Sequence, residues 1–389
     1  MSDEEGQVDQ MRSLVTAVLT AGLIAGTGAL VAAAPSPDAS PVGDGPAASG
    51  SGPFLLAGLG EPGEVCQLTG AGAHNDTADP TSVMVAGTDL GSMWLSDGRI
   101  WFGFGDTFGQ RDEGMTGGGG SIWRSNTLAY TTDLDPSDCV TFDGWITDRV
   151  GWADELLSPT DDEVTVIPTY GFEANGDMYI HFMSVSEWGP PGEWTTNLAG
   201  LARSDDAGQT WQRLDQVTWP GEGSFQEVSV ATVDGELLFW GVPSGRLGGV
   251  SLMKVAEADV EDLGAYRYFA GSDDGEPTWS PDAGDAAIII DRPTGELSVA
   301  WNEYLGRWLM TTMADNADAV MYEGITPWGP WSEPHVLYRQ QDLPGLYAPF
   351  MHPDYMADGG RTVYFGLSHW LPYNVFWHRV DLVRAEDPA

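Results

Sequence analysis

Ser92-Met93-Trp94-Leu95-Ser96-Asp97-Gly98-Arg99-Ile100-Trp101-Phe102-Gly103-Phe104 is two aromatic-rich runs hinged on Asp-Gly. That dipeptide best tolerates the left-handed backbone of a two-residue hairpin turn. The form recurs along the chain: Met178–Val185 with Leu198–Arg203, Val228–Val233 with Leu237–Val242 across Asp234-Gly235, Leu297–Asn302 with Trp308–Met313 across Leu305-Gly306, and Thr362–Ser368 with Val375–Val383. Helical periodicity is nearly absent, and only Val255 to Leu263 suggests a short helix. Five strand groups in a chain with so few helices to cover sheet edges predict an all-β fold, a five-bladed β-propeller, because radial repetition leaves only short, protected edges. A β-sandwich is the alternative.

One repeat marker is sharper than the hairpins. Ser204-Asp205-Asp206-Ala207-Gly208-Gln209-Thr210-Trp211 resembles the Asp box of sialidase-like and other propellers, in which polar side chains satisfy turn amides and the Trp packs between strands. Its two carboxylates are therefore read as structural.

Around this core the composition sets limits. Of 389 residues, 16 are Lys or Arg and 58 are Asp or Glu, a net charge of −42. Such a surface repels phosphate backbones and anionic lipids, which argues against a nucleic-acid partner. Residues 1–34 carry an uncharged apolar run from Leu14 to Val31 behind Arg12, ending in Ala32-Ala33-Ala34. The run reads as a signal peptide, or as an uncleaved anchor, so the protein is expected to be secreted or held at the cell envelope. Residues 35–55, rich in Pro, Ala, Ser and Gly, read as a solvated linker, and 56–389 as the folded domain. The two cysteines, Cys66 and Cys139, suit one disulfide in an exported chain. Seventeen Trp, 13 Phe and 12 Tyr leave aromatic surface on which sugar rings stack.

Two acids stand out near the first hairpin. With Asp97-Gly98 as the turn, directly opposed residues have numbers summing to 195, and Asp89 with Asp106 is such a pair. Opposed Cβ atoms lie about 4.5–5.5 Å apart, near the ~5–5.5 Å carboxyl spacing of retaining glycosidases. Mutual repulsion keeps one of two facing carboxyls protonated, as an acid catalyst requires. Glycines 87, 91, 103, 105 and 109 are expected to clear space around both acids. A turn-capping role for the two aspartates is the plain alternative.

Thr88-Asp89-Leu90-Gly91, Asp97-Gly98-Arg99, Gly105-Asp106-Thr107-Phe108-Gly109 and Trp301-Asn302-Glu303-Tyr304-Leu305-Gly306-Arg307-Trp308 resemble the domain of unknown function 4185, grouped as glycoside hydrolase family 183. The resemblance spans about residues 60 to 385. It implies a five-bladed propeller and a retaining endo-D-arabinanase, which cleaves α-linked D-arabinofuranose in mycobacterial arabinogalactan and lipoarabinomannan with Asp89 and Asp106. Which acid is nucleophile stays open, with Asp89 favoured for that role and Asp106 for acid/base. Glu303 receives little catalytic weight.

Candidate sugar-binding residues are Asn126, Gln226, Glu227, Asn302, Tyr347 and His352, with Glu227 a reserve catalytic acid. Trp188, Trp328, Trp331 and Trp370 are candidate stacking surfaces. No Gly-x-Ser-x-Gly, His-Glu-x-x-His or P-loop sequence is present, and the six histidines are scattered. The expectation is a metal-independent, cofactor-free monomer acting on polysaccharide. A binding propeller without turnover and an exo-acting glycosidase or lyase are its rivals.

Overall fold

The computed structural model describes residues 54–385 except 80 and 113. The export segment and nearly all of the linker expected from sequence therefore lie outside the described residues.

Each Asp-Gly hairpin forms where the sequence puts it. Asp97 and Gly98 have φ of 49° and 69°, and Asp234 and Gly235 have 51° and 79°, the paired left-handed conformation that matches the twist of the flanking strands. Five antiparallel sheets result, led by Leu90–Ser96, Thr165–Ala174, Glu227–Val233, Leu297–Asn302 and Leu346–Ala357. These five strands touch one another in cyclic order, the last returning to the first. They are the inner strands of a five-bladed β-propeller.

The ring closes by mixing the two ends of the described chain. In the last blade, Asn374–Arg384 pairs with Thr362–His369 on one side and with both Leu56–Leu59 and Gly63–Gln67 on the other. A disulfide from Cys66 to Cys139 ties that N-terminal strand to the first blade's outer loop.

Where a helix is expected over Val255–Leu263, the strand Val250–Ala256 runs on into two single 3-10 turns, Glu257–Asp259 and Leu263–Ala265. The Asp262 carboxylate accepts the amide of Gly264 there, a local bond that competes with helix continuation. The Asp-box segment is structural: Ser204 Oγ accepts the Gly208 amide at 2.9 Å, Asp206 Oδ1 accepts the Thr210 amide at 2.9 Å, and Trp211 packs on the second blade's core.

Candidate active site

Inner strands of a propeller run the same way along the axis, so their N-terminal ends meet at one mouth. Asp89 immediately precedes the first, Thr165 opens the second, Glu227 opens the third, Glu296 precedes the fourth, and Tyr347 is second in the fifth. Asp106 follows Arg99–Phe104, which returns antiparallel to the same mouth. Asp89, Asp106, Glu227, Glu296 and Tyr347 line one cavity of about 510 Å³ with contributions from all five blades. That size lies within the ~300–1,000 Å³ typical of ligand sites.

The first hairpin keeps the expected register only in part. Ser92↔Gly103 through Ser96↔Arg99 sum to 195, but the register slips between Ser92 and Leu90, which pairs with Phe104. Leu90 and Gly91 both have positive φ, 65° and 84°, and form a β-bulge that absorbs one extra residue. Asp89 therefore opposes Gly105, whose amide donates to the Asp89 carbonyl at 3.2 Å, and Asp106 sits one residue beyond. Direct cross-strand opposition of the two aspartates is thus corrected to a bulged offset, although both still face the cavity. Of the five glycines expected to clear space, Gly105 is the one that serves an acid: a Cβ there would come within 2.5 Å of Asp89 Oδ1. Cβ atoms at Gly87, Gly103 and Gly109 would instead strike Arg111, Trp94 and Ile122.

The two carboxyls keep different company. Asp106 is 4% exposed, and its Oδ1 accepts both Trp123 Nε1 and Thr165 Oγ1 at 2.8 Å. Asp89 Oδ2 accepts the Tyr347 hydroxyl at 2.8 Å, and Tyr373 also hydrogen-bonds this acid. Asp89 Oδ1 is buried with no partner. Burial raises the Asp89 pKa to about 7, helped by repulsion from Asp106 and opposed by the two tyrosines. Burial also raises Asp106 to about 6, opposed by Thr165 and Trp123. Behind them, Thr107 Oγ1 bonds Thr88 and Thr127 at 2.7 and 3.0 Å, a buried network that fixes the base of the site.

Elsewhere in the cavity, Arg246 forms a two-point ion pair with Glu296, and Glu227 lies beside them. Trp188, Trp194 and Trp370 also line the wall, their indole N–H groups unpaired within the protein. Leu90, Arg246, Ala317 and Tyr373 line it with left-handed backbone, and such conformations gather at functional sites. Among the described residues no group of three or more His, Cys, Asp or Glu is placed to hold a metal ion.

Of the residues singled out from sequence, the cavity brings together Asp89, Asp106, Glu227, Tyr347, Trp188 and Trp370. The other candidates are spent on internal bonds. Asn126 donates to the carbonyls of Leu157 and Val166 and accepts the amides of Leu156 and Leu157, joining the first two blades. Gln226, on the opposite side of the strand from Glu227, binds Thr196 Oγ1 and the Pro220 carbonyl. Asn302 ends its inner strand at the far end of the axis and holds Gly360 O and Leu305 N. His352 is buried mid-strand, its pKa lowered to about 4 by desolvation. Trp328 and Trp331 pack in the core between the third and fourth blades. Trp123, Thr165, Trp194, Arg246, Glu296 and Tyr373 are absent from the sequence reading. One signal points to Glu296: like Glu227 and Asp89, it is a polar residue at the start of a blade's first strand.

Fold and site together define a five-bladed propeller with two neighbouring aspartates and an aromatic wall at one mouth of its axis. The sequence matches the model of the domain of unknown function DUF4185 over residues 73–379, and the chain belongs to that family. No curated protein matches it in sequence. Among solved structures it is similar to a candidate hydrolase from Bacteroides ovatus, at 13% identity and TM-score 0.55, over 77% of this chain and 86% of that one. It is also similar to an exo-β-1,3-galactanase from Phanerochaete chrysosporium crystallised with β-1,3-galactotriose, at 8% identity and TM-score 0.50. That match covers 84% of this chain and 65% of the galactanase. At such identities the likeness establishes the fold.

Proposed function

We propose that the protein is a glycoside hydrolase that cuts within a neutral polysaccharide by a retaining mechanism. D-Arabinan of the mycobacterial arabinogalactan and lipoarabinomannan type is the substrate, on the strength of the resemblance to glycoside hydrolase family 183. The observation that carries the reading is the pair Asp89, half-buried, and Asp106, buried, which share one cavity but have differently equipped oxygens. An indole N–H only donates, so Trp123 suits Asp106 as a carboxylate. Burial and repulsion from Asp106 raise Asp89 to about 7, above the about 6 of Asp106, so Asp89 is the carboxyl that holds a proton.

On this reading the roles are the reverse of those favoured from sequence. Asp106 attacks the anomeric carbon while Asp89 gives its proton to the departing glycosidic oxygen. The resulting glycosyl ester on Asp106 is then cleaved by water, whose proton returns to Asp89. The galactotriose-bound neighbour supports a sugar in a propeller of this shape.

One feature favours an exo-acting reading: next to Glu227 and Glu296 the space narrows to a cavity of about 10 Å³ between Leu90, Ile167, Met183, Leu297 and Phe350. Export to an oxidising compartment is part of the proposal, and the Cys66–Cys139 disulfide supports it.

Time-resolved chromatography of products from mycobacterial arabinogalactan tests the function. A ladder of arabino-oligosaccharides is expected from the first time points. A single small product from the outset would make the enzyme exo-acting, and no release from any neutral glycan would leave a binding propeller.

A further inference from the structure

We infer that Glu227 and Arg246 form a sugar-anchoring site in the cavity, distinct from the aspartate pair, that grips one neutral residue through adjacent hydroxyls. The inference rests on the glycosidase reading and adds to it the group that chooses the sugar.

Arg246 is immobilised as a donor. The turn Ser244–Arg246 delivers it with φ of 50°. Glu296 takes its Nε at 3.0 Å and its Nη2 at a shorter distance. The rings of Trp194 and Tyr347 lie 5.6 and 5.7 Å from the guanidinium carbon. Among the described residues nothing hydrogen-bonds Nη1. The fork is therefore held by one edge and offers the other, at little further cost in side-chain entropy.

Glu227 supplies the complementary group. It is 4% exposed, lines the same cavity, and its Oε2 is buried with no partner. A buried carboxyl oxygen left unpaired is costly, and native proteins retain one where a ligand completes it. Burial and the nearby Glu296 push Glu227 well above the ordinary range, which favours its protonated form, a group that both donates and accepts. A sugar hydroxyl does the same.

Charge selects the class of ligand. Arg246 beside Glu227 repels a cation, while Asp106, Glu193 and Asp315 on the surrounding wall repel an anion. A neutral polyol meets neither barrier. Tyr347 sets the distance to the chemistry, since its hydroxyl holds Asp89 and its ring lies against Arg246. A sugar gripped by Arg246 therefore lies next to Asp89, and the anchor decides which bond reaches the pair.

Calorimetric titration with a D-arabinofuranose oligosaccharide, in an Asp106→Asn background that halts turnover, tests the anchor. Asp106→Asn alone is expected to bind. Adding Glu227→Leu or Arg246→Met should weaken binding at least tenfold, whereas adding Glu227→Gln, which keeps a donor and an acceptor, should restore it to within about threefold. Oligosaccharides deoxygenated one hydroxyl at a time probe the wild-type enzyme without any substitution, and loss of one or two neighbouring hydroxyls should lower kcat/KM at least tenfold. Absence of binding by Asp106→Asn itself would overturn the glycosidase reading and the anchor with it. Unchanged affinity in both the Leu and Met variants, or equal tolerance of every deoxygenation, would overturn the anchor alone.

Discussion

Asp106 and Asp89 differ in what their neighbours can do with a proton, and pH reads that difference directly. Activity requires Asp106 ionised and Asp89 protonated, so kcat/KM rises as pH passes about 6 and falls as it passes about 7. The expected profile is a narrow bell centred between those values. The Tyr347 hydroxyl donates to Asp89 and favours its charged form. Tyr347→Phe should therefore raise the Asp89 pKa and move the alkaline limb to higher pH, while the acid limb stays put. A pH–rate series checks this, and a shift of the acid limb with the alkaline limb unmoved would exchange the two roles. At this scale the sequence marked Asp89, Asp106, Glu227 and Tyr347 correctly as cavity residues, but could not separate them from Asn126 and Gln226. A polar side chain at a strand end faces the axis or the neighbouring blade according to a half-turn of the pleat, and residue type does not encode that choice.

At the scale of the element, the bulge at Leu90-Gly91 makes the site. It draws Asp89 over Gly105, where a methyl group would displace the carboxylate and little else rigid. Gly105→Ala is accordingly expected to fold with a melting temperature within a few degrees of wild type and to lose at least tenfold in kcat. Circular dichroism and steady-state kinetics measure the two quantities, and a fully active variant would show that the position of Asp89 is unimportant. The Asp97-Gly98 turn was legible because its backbone demands those residues. The bulge was not, because Asp89-Leu90-Gly91-Ser92 reads equally well as uninterrupted alternation. Trp123 and Thr165 escaped notice for a related reason: one comes from a short hairpin inserted in the first blade, the other from the next blade.

The whole molecule depends on ring closure. Five repeated hairpins made the blades visible in the sequence, since each is local, but the meeting of Arg246, Glu296, Tyr347 and Tyr373 exists only once five separate sheets surround one axis. Closure is secured by pairing Gly63–Gln67 with Asn374–Arg384 and by the Cys66–Cys139 bond. The bond spans a sequence separation of 73 residues, for which chain entropy gives a stabilisation of about 4 kcal/mol. Cys66→Ser with Cys139→Ser should lower unfolding free energy by roughly 2–5 kcal/mol in denaturant titration. A change below about 0.5 kcal/mol, within the range of an ordinary surface substitution, would show that strand pairing alone holds the ring.

The most direct test of the central claim compares wild type, Asp89→Asn and Asp106→Asn for oligosaccharide release from D-arabinan and for thermal stability at two pH values. Each variant should lose on the order of 10³-fold in kcat, as expected on removal of an acid/base or nucleophilic carboxyl. Both native pKa values lie above the ~3.9 of an unfolded Asp, so folding is favoured below that value and loses stability as pH rises through about 6 to 7. The variants should therefore melt higher than wild type at pH 8 and show little of that gain near pH 4. Activity that survives both substitutions in folded protein would contradict the account.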